Sequence, residues 1–468
     1  MNVSSTERRL ALLVIDQLPY HVLDARRASH PKVTVLGKLE LGYVPRTTPV
    51  GHATLSTGWM PSIHGVQGRE WYEEIGSEWK RHRLDDLPRG TFDPNLVAWL
   101  KANGLATKIR EQQPNSRIVV VAAKAMIPFL FGGWNADICV YPTDVAPRQD
   151  TTGRYKLAVR VEAFTREGAE VLRATHEGVL LETERLMDSL VKGCDFEWEP
   201  LPSESNLTLL EMHIVLPAAW GTNYHCIAEL WHDITLEHCV EIDVFYRDIG
   251  ISLLDSLPPT NARVFVQSCF STDYRGHEYG VDSGEYGAAL DELLRSAVAI
   301  ADDEGFLVIG TSDHGGRPTP VHLLCDLTEV PPLVTDNAGN PVKLREARYI
   351  VHSGDHLVGY GGSSGVAFLQ WTGGQEIDVG TYSSVVDRSF AASQRPSWLL
   401  LPNVNERYSR TNSRLRPHPS GGDHGACAEG RKLSEIDNSV PLFGIGSAQY
   451  SSIPSSLEGV AGWLLTLL

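Results

Sequence analysis

Four short fragments, far apart in the chain, carry the residue types of a metal-assisted hydrolytic centre: Leu12-Leu-Val-Ile-Asp16, Asp273-Tyr-Arg-Gly-His277, Ser312-Asp-His-Gly315 and Gly422-Asp-His-Gly425. Between the first two lies Thr47-Thr-Pro-Val-Gly-His52, followed by Ser56-Thr-Gly58 and His64-Gly65. Carboxylates mixed with imidazoles suit zinc-like divalent ions, and a hydroxyl beside such an ion is a candidate nucleophile. Each fragment also has an ordinary reading. An Asp that closes a buried strand is commonly a helix cap, and His356 sits in the same Gly-Asp-His context as His424. The set, in this order, is what points to two metals.

Elements that could bring these fragments together are visible as short apolar runs. Leu10 to Ile15 stops at Asp16, Arg263 to Gln267 leads toward Asp273, and Phe306 to Ile309 leads to Asp313. Runs of this length without polar alternation suit parallel strands buried on both faces. Ser397 to Leu401, Val440 to Ile445 and Gly365 to Trp371 are further strand candidates. Between the second and third runs, Asp282 and Glu285 read as a capping box. Leu290, Leu293, Leu294, Ala297, Val298 and Ala301 then fall on one helical face. Strand, helix, strand is the βαβ unit, and open sheets of that kind bind ligands at the carboxyl ends of their strands. Asp16, Asp273 and Asp313 are therefore expected on one edge of one sheet, with Asp273 and His277 on a loop.

The 468 residues can bury a large core, and 42% hydrophobic with 21% charged residues is ordinary globular composition. A net charge of -17 argues against a surface that coats nucleic-acid duplexes. It does not oppose a small phosphorylated substrate, because bound cations reverse the local sign. No run is long enough to span a bilayer, and the closing Val460 to Leu468 stretch reads as a terminal helix. Seven cysteines (139, 194, 226, 239, 269, 325, 427) lack metal-type spacing and read as buried thiols. Together with the polar N-terminus they lead to an expected cytoplasmic location. Residues 145–260 read as an inserted cap, with a charged helix over Thr165 to Lys192 and strand-like runs at Leu207 to Val215 and Cys226 to Trp231. Residues 325–395 read as a second insertion.

Thr48-Pro-Val-Gly-His-Ala-Thr-Leu-Ser-Thr-Gly58 followed by Pro61-Ser-Ile-His-Gly65 resembles the nucleophile region of the type I phosphodiesterase/nucleotide pyrophosphatase family of the alkaline phosphatase superfamily. The similarity is greatest to its Thr-dependent, PafA-type phosphatase branch. Asp-x-x-Gly-His, Ser-Asp-His-Gly and a late His-Gly follow in the family's order, and Val440-Pro-Leu-Phe-Gly444 resembles its closing strand. The resemblance implies an alkaline-phosphatase-like α/β fold over 1–468, with a mostly parallel sheet flanked by helices.

It also implies two divalent metal sites with zinc as the expected ion, one made by Asp16, Thr48, Asp313 and His314, the other by Asp273, His277 and His424. Thr48 is the implied nucleophile, forming a phosphothreonine that water cleaves. His52 and His64 are read as hydrogen-bonding supports of that turn, and His322 as a core or surface residue. Two positions depart from the family. Arg69 stands where it has Asn, in Gly68-Arg-Glu-Trp-Tyr72, and an Arg fork grips phosphate bidentately. Lys124 matches a phosphatase Lys that stabilises transition-state charge, while Met126 replaces the Arg expected two residues on. The expected function is therefore metal-dependent hydrolysis of a small-molecule phosphate ester, monoester or diester/nucleotide pyrophosphate. Alternatives are an inactive, metal-retaining phosphate-ligand binder, a phosphonate hydrolase and a phosphomutase.

Overall fold

The computed structural model describes residues 7–43, 46–68, 70–75, 78–84, 100–142, 147–198, 208–221, 223–318, 438–445 and 450–468, with short segments between 319 and 437. Arg69 and His424 lie outside the described residues, as does most of the expected 325–395 insertion.

The strands that frame the site are β1 (Arg8–Ile15), β2 (Val33–Glu40), β3 (Arg117–Ala122), β4 (Ile138–Pro142), β5 (Tyr155–Ala163), β6 (Asp195–Trp198), β7 (Thr208–Val215), β8 (Ala262–Cys269), β9 (Leu307–Thr311) and β10 (Ser439–Ile445). With a two-residue strand at Arg148–Gln149 they make one eleven-stranded sheet in the order β2-β10-β9-β1-β8-β3-β4-β5-β7-β6. The run from β9 to β4 is parallel throughout. Both wings are antiparallel. All eight residues of β8 are buried, as the lack of polar alternation predicts for a central parallel strand. β7 instead alternates buried and half-buried residues, as a wing strand with one covered face should.

Successive β1 residues feed two cores. Ala11, Leu13 and Ile15 pack on one face of the sheet, Leu10, Leu12 and Val14 on the other. The helices divide in the same way. Among them are α1 (Thr48–Thr57), α2 (Arg166–Leu190), α3 (Tyr224–Glu237), α4 (Cys239–Ser256), α5 (Ser271–Tyr279), α6 (Gly284–Asp303) and α7 (Gly459–Leu467). Leu172 of α2, Leu253 of α4 and Leu290 of α6 join the first core, and Val50 of α1 and Leu464 of α7 join the second. The terminal helix thus packs where the sequence suggests. Among the described residues, no helix is long and apolar enough to cross a membrane.

Several local expectations change. Asp273 and His277 lie on helix α5, not on a loop. Cys226 to Trp231 belongs to helix α3, not to a strand. The α6 helix is capped by Ser283, whose hydroxyl accepts from the Tyr286 N–H at 3.1 Å, so the Asp282 box is one residue out of place. β10 runs antiparallel to β9. Cys139, Cys239 and Cys269 are buried thiols, but Cys226 is exposed. Residues 147–260 supply β5, β6 and β7 to one wing of the main sheet and helices α2 to α4 to its face.

Candidate active site

Four adjacent parallel strands deliver the chemistry. In sheet order, β9 leads to Asp313 and His314, β1 to Asp16, β8 to the helix bearing Asp273, and β3 to Lys124. Because the strands are parallel, these residues share the carboxyl edge, the usual ligand edge of such a sheet. The turn after β1 is held tightly. Gln17 takes a left-handed backbone (φ 60°), the Thr272 hydroxyl donates to Asp16 O at 2.6 Å and the Tyr286 hydroxyl to Gln17 O at 2.8 Å. The Leu18 N–H donates to Ser312 Oγ at 2.8 Å, tying this turn to the one after β9.

Thr48 enters from the opposite core as the first residue of α1, with Thr47 as its N-cap. Its hydroxyl therefore lies at the electropositive end of a fully buried helix. Thr48 Oγ1 is 3.4 Å from both Asp16 carboxylate oxygens, 3.3 Å from His314 Nε2 and 3.3 Å from Lys124 Nζ. Lys124 Nζ also donates to Asp16 at 2.5 Å and to Asp273 at 2.7 Å. His314 Nε2 is 3.1 Å from Asp16 Oδ1 and 3.3 Å from Asp313 Oδ2. His277 stays at the rim, its Nε2 3.2 Å from Asp273 Oδ1, one helical turn away.

The structure thus brings together Asp16, Thr48, Lys124, Asp273, Asp313 and His314, with His277 beside them. Outside the described residues, His424 follows a strand pair, Arg317–Pro318 with Gly422–Asp423, that starts just after His314.

Electrostatics follow from crowding acids in a dry place. Burial and Asp273 push the Asp16 carboxyl up, but Lys124 and His314 hold it well below the usual carboxylate range. Burial works against a charged His314, yet Asp313, Asp16 and Asp273 outweigh it and raise the imidazole to about 9. Burial likewise opposes a charged Lys124, and Asp16 and Asp273 lift it well above an ordinary lysine. The cluster is one that demands positive charge.

Asp16, Asp273 and His314 meet that demand in a form a metal could use. All three are buried, and each offers a ligand atom within 4.8 Å of the others. Two carboxylate oxygens and an imidazole nitrogen are a donor set suited to a divalent ion.

Supporting residues explain why the pieces meet. His52, one turn along α1, contacts Thr48 O at 2.8 Å through Nδ1 and Ser268 Oγ at 2.8 Å through Nε2, and lies 3.2 Å from Asp313. His64 accepts from the Val66 N–H at 3.1 Å and contacts Thr54 Oγ1 at 3.1 Å, and its burial lowers the imidazole to about 3. Both histidines brace the segment around Thr48 by hydrogen bonds, the supporting part the sequence suggests for them. Gly51 is dictated by close approach, since a Cβ there would sit 2.1 Å from Asp313 O. Only a residue without a side chain lets α1 press Thr48 against the strand ends.

Asp243 is the residue that sequence reasoning missed. It lies on the buried face of α4, and its carboxylate accepts from the Phe270 and Ser271 N–H groups at 3.0–3.1 Å. It thereby caps α5, the helix that presents Asp273 and His277. The signal was an acid on the apolar side of an amphipathic helix, with no motif to flag it.

Burial raises the Asp243 carboxyl from 3.8 to about 7 despite those donors. The folded state therefore holds this proton more tightly than the unfolded chain. The associated stability is full below about 3.8 and gone once the pH has passed about 7. The stability advantage of wild type over Asp243→Asn should accordingly shrink, by a few kcal/mol at most, between about pH 4 and about pH 8. Melting curves of the pair at both pH values check this, and a difference that does not move with pH refutes it.

A sequence profile of the type I phosphodiesterase / nucleotide pyrophosphatase family matches residues 10–335, a span that includes Asp16, Thr48, Lys124, Asp273 and Asp313. The chain belongs to that family. Membership places this type I phosphodiesterase / nucleotide pyrophosphatase relative in the alkaline phosphatase superfamily. It is 23% identical over 283 residues to alkaline phosphatase PhoD of Zymomonas mobilis subsp. mobilis, covering 58% of this chain and 45% of that protein. It is 31% identical over 127 residues to alkaline phosphatase PafA of Elizabethkingia meningoseptica, covering 26% of this chain and 22% of that one. The matches thus span less than half of either relative. The crystal structure of wild-type alkaline phosphatase PafA superposes with a TM-score of 0.57 at 17% identity, covering 98% of this chain and 95% of the other. The family member described here therefore shares that fold.

Proposed function

We propose that this chain is a metal-dependent phosphoric ester hydrolase that works through a phosphothreonine at Thr48. One observation carries the reading: the Thr48 hydroxyl, at a buried helix N-terminus, lies within 3.4 Å of Asp16, His314 and Lys124. Thr48 Oγ forms a bond to phosphorus as the ester P–O bond breaks, and the alcohol departs with the electron pair and gains a proton. The Thr48 proton passes by way of water to the departing alcohol, while Asp16, whose carboxylate the hydroxyl already faces, orients the oxygen. Water then attacks phosphorus, the P–Oγ bond breaks, and phosphate leaves with Thr48 restored. Lys124 offsets negative charge on the transferring group.

The expected ions are a pair of zinc-like divalent cations, held by Asp16, Thr48, Asp313 and His314 on one side and by Asp273, His277 and His424 on the other. When bound they supply charge neutralisation for the attacking and leaving oxygens. Lys124 also bears on the choice of ester. Its ammonium sits inside the cluster and is largely buried, not on a solvated surface. A fixed cation there favours a terminal phosphoryl group over a diester, which carries less negative charge. Small-molecule phosphomonoesters are thus the proposed substrates.

Nitrophenol release from nitrophenyl phosphate and bis-nitrophenyl phosphate tests the reading, with protein stripped of metal and then reloaded with zinc. Turnover should appear only on reloading and be at least about tenfold faster, as kcat/KM, on the monoester. Faster diester turnover reverses the substrate assignment, and no turnover of either ester by reloaded protein removes the hydrolase reading.

A further inference from the structure

Lys124, whose ammonium touches Asp16 and Asp273, also lines a cavity of about 80 Å³. On the measure by which one water needs roughly 10–15 Å³, this is room for several waters or one ring-sized group. The walls are overwhelmingly apolar and come mostly from the 147–260 stretch: Met187 of α2, Trp231 and Thr235 of α3, Phe245 of α4. Tyr274, the neighbour of Asp273 on α5, is also part of the lining. Two residues of the cavity wall, Lys124 and Tyr274, are thus part of or next to the reacting groups.

A few polar side chains, Thr183, Thr235 and Tyr246 among them, interrupt this lining. Mostly apolar walls with a few polar groups are the make-up of a small-molecule site.

We propose that this cavity receives the alcohol part of the phosphate ester, an apolar, ring-sized group. The inference rests on the hydrolase reading of the Thr48 centre and names the substrate class for it. Polyol esters do not suit the cavity, since its walls leave their hydroxyls unpaired. The methylene stem of Lys124 lines the apolar side while its ammonium faces the phosphoryl group, a division of labour natural to lysine.

The test uses pairs of esters whose alcohols have similar acidity, so that chemistry is held constant while apolar bulk changes. Full-length, zinc-loaded protein should prefer 2-naphthyl over phenyl phosphate, and hexyl over methyl phosphate, by at least about tenfold in kcat/KM. Filling the cavity with Ala158→Phe should bring both ratios close to one. Independently of turnover or variants, metal-free wild type should bind 2-naphthol, read from the ligand's own fluorescence. Ratios near one in wild type, together with no 2-naphthol binding, overturn the proposal while leaving hydrolysis intact. Binding of 2-naphthol without turnover of any ester upholds the cavity as a site but removes the hydrolase reading on which its role depends.

Discussion

Thr48→Ala is expected to lower kcat/KM for a phosphate monoester by at least about 10³-fold, with the fold unchanged. The size follows from position. The Thr48 hydroxyl is the reactive group nearest to Asp16, His314 and Lys124 at once, and the helix dipole and the lysine both favour negative charge on it. Alanine removes that oxygen but suits a helix start, and its methyl lies where the threonine Cβ already packs. Thr48→Ser keeps the oxygen and should retain activity within about tenfold of wild type. Thr47→Ala is the necessary control. The Thr47 hydroxyl is buried without a hydrogen-bond partner, yet it is the cap position and not the residue facing Asp16. Acid quenching during turnover of a phosphorus-labelled ester should trap label on wild type and none on Thr48→Ala. Full activity in Thr48→Ala, with loss in Thr47→Ala instead, would reassign the nucleophile by one residue.

How much of this was readable beforehand depended on where the physical cause lay. β1, β8 and β9 were legible because a strand buried on both faces must be apolar at every position, and each run stops where the chain reaches the polar edge. Asp16 and Asp313 were therefore found by following apolar runs to their ends. α5 was not legible. Ser271–Tyr279 contains a glycine and no apolar period, and what makes it helical at its start is the Asp243 carboxylate, far away in sequence. Cys226 to Trp231 failed for another reason: a six-residue run that is apolar but for Glu229 fits a strand and a helix equally. Only the full Tyr224–Glu237 stretch separates the two. Lys124 was ambiguous in sequence between a solvated surface and the site. The pairing of β3 with β8 decides it, because that pairing sets Lys124 beside the start of α5. Strand ends follow from composition, whereas neighbours across the sheet follow from topology.

Asp16→Asn should weaken zinc binding by at least about 100-fold and remove turnover with it. Asp16 is completely buried and reaches three groups of the cluster: Lys124 at 2.5 Å, His314 at 3.1 Å and Thr48 at 3.4 Å. Asparagine has nearly the same shape but carries no charge, and its NH2 group turns a donor toward an ammonium or an imidazole. In metal-free protein this strands Lys124, and breaking a buried ion pair from one side costs about 3–5 kcal/mol. Asp273 remains as a second partner for the lysine, so the loss should fall at or below the low end of that range. His314 loses one of the acids that raise its imidazole and should titrate lower. With zinc present the contrast widens. A ligand at 100 times its Kd stabilises the folded state by about 2.7 kcal/mol, so zinc should raise the melting temperature of wild type measurably. The same zinc concentration should barely move Asp16→Asn. Melting scans of both proteins, each with and without zinc, separate the two effects: the metal-free difference reports the lost ion pair, and the zinc-dependent difference reports the lost ligand. An equal zinc shift in the two proteins would remove Asp16 from the metal site and leave its carboxylate as the structural partner of Lys124 alone.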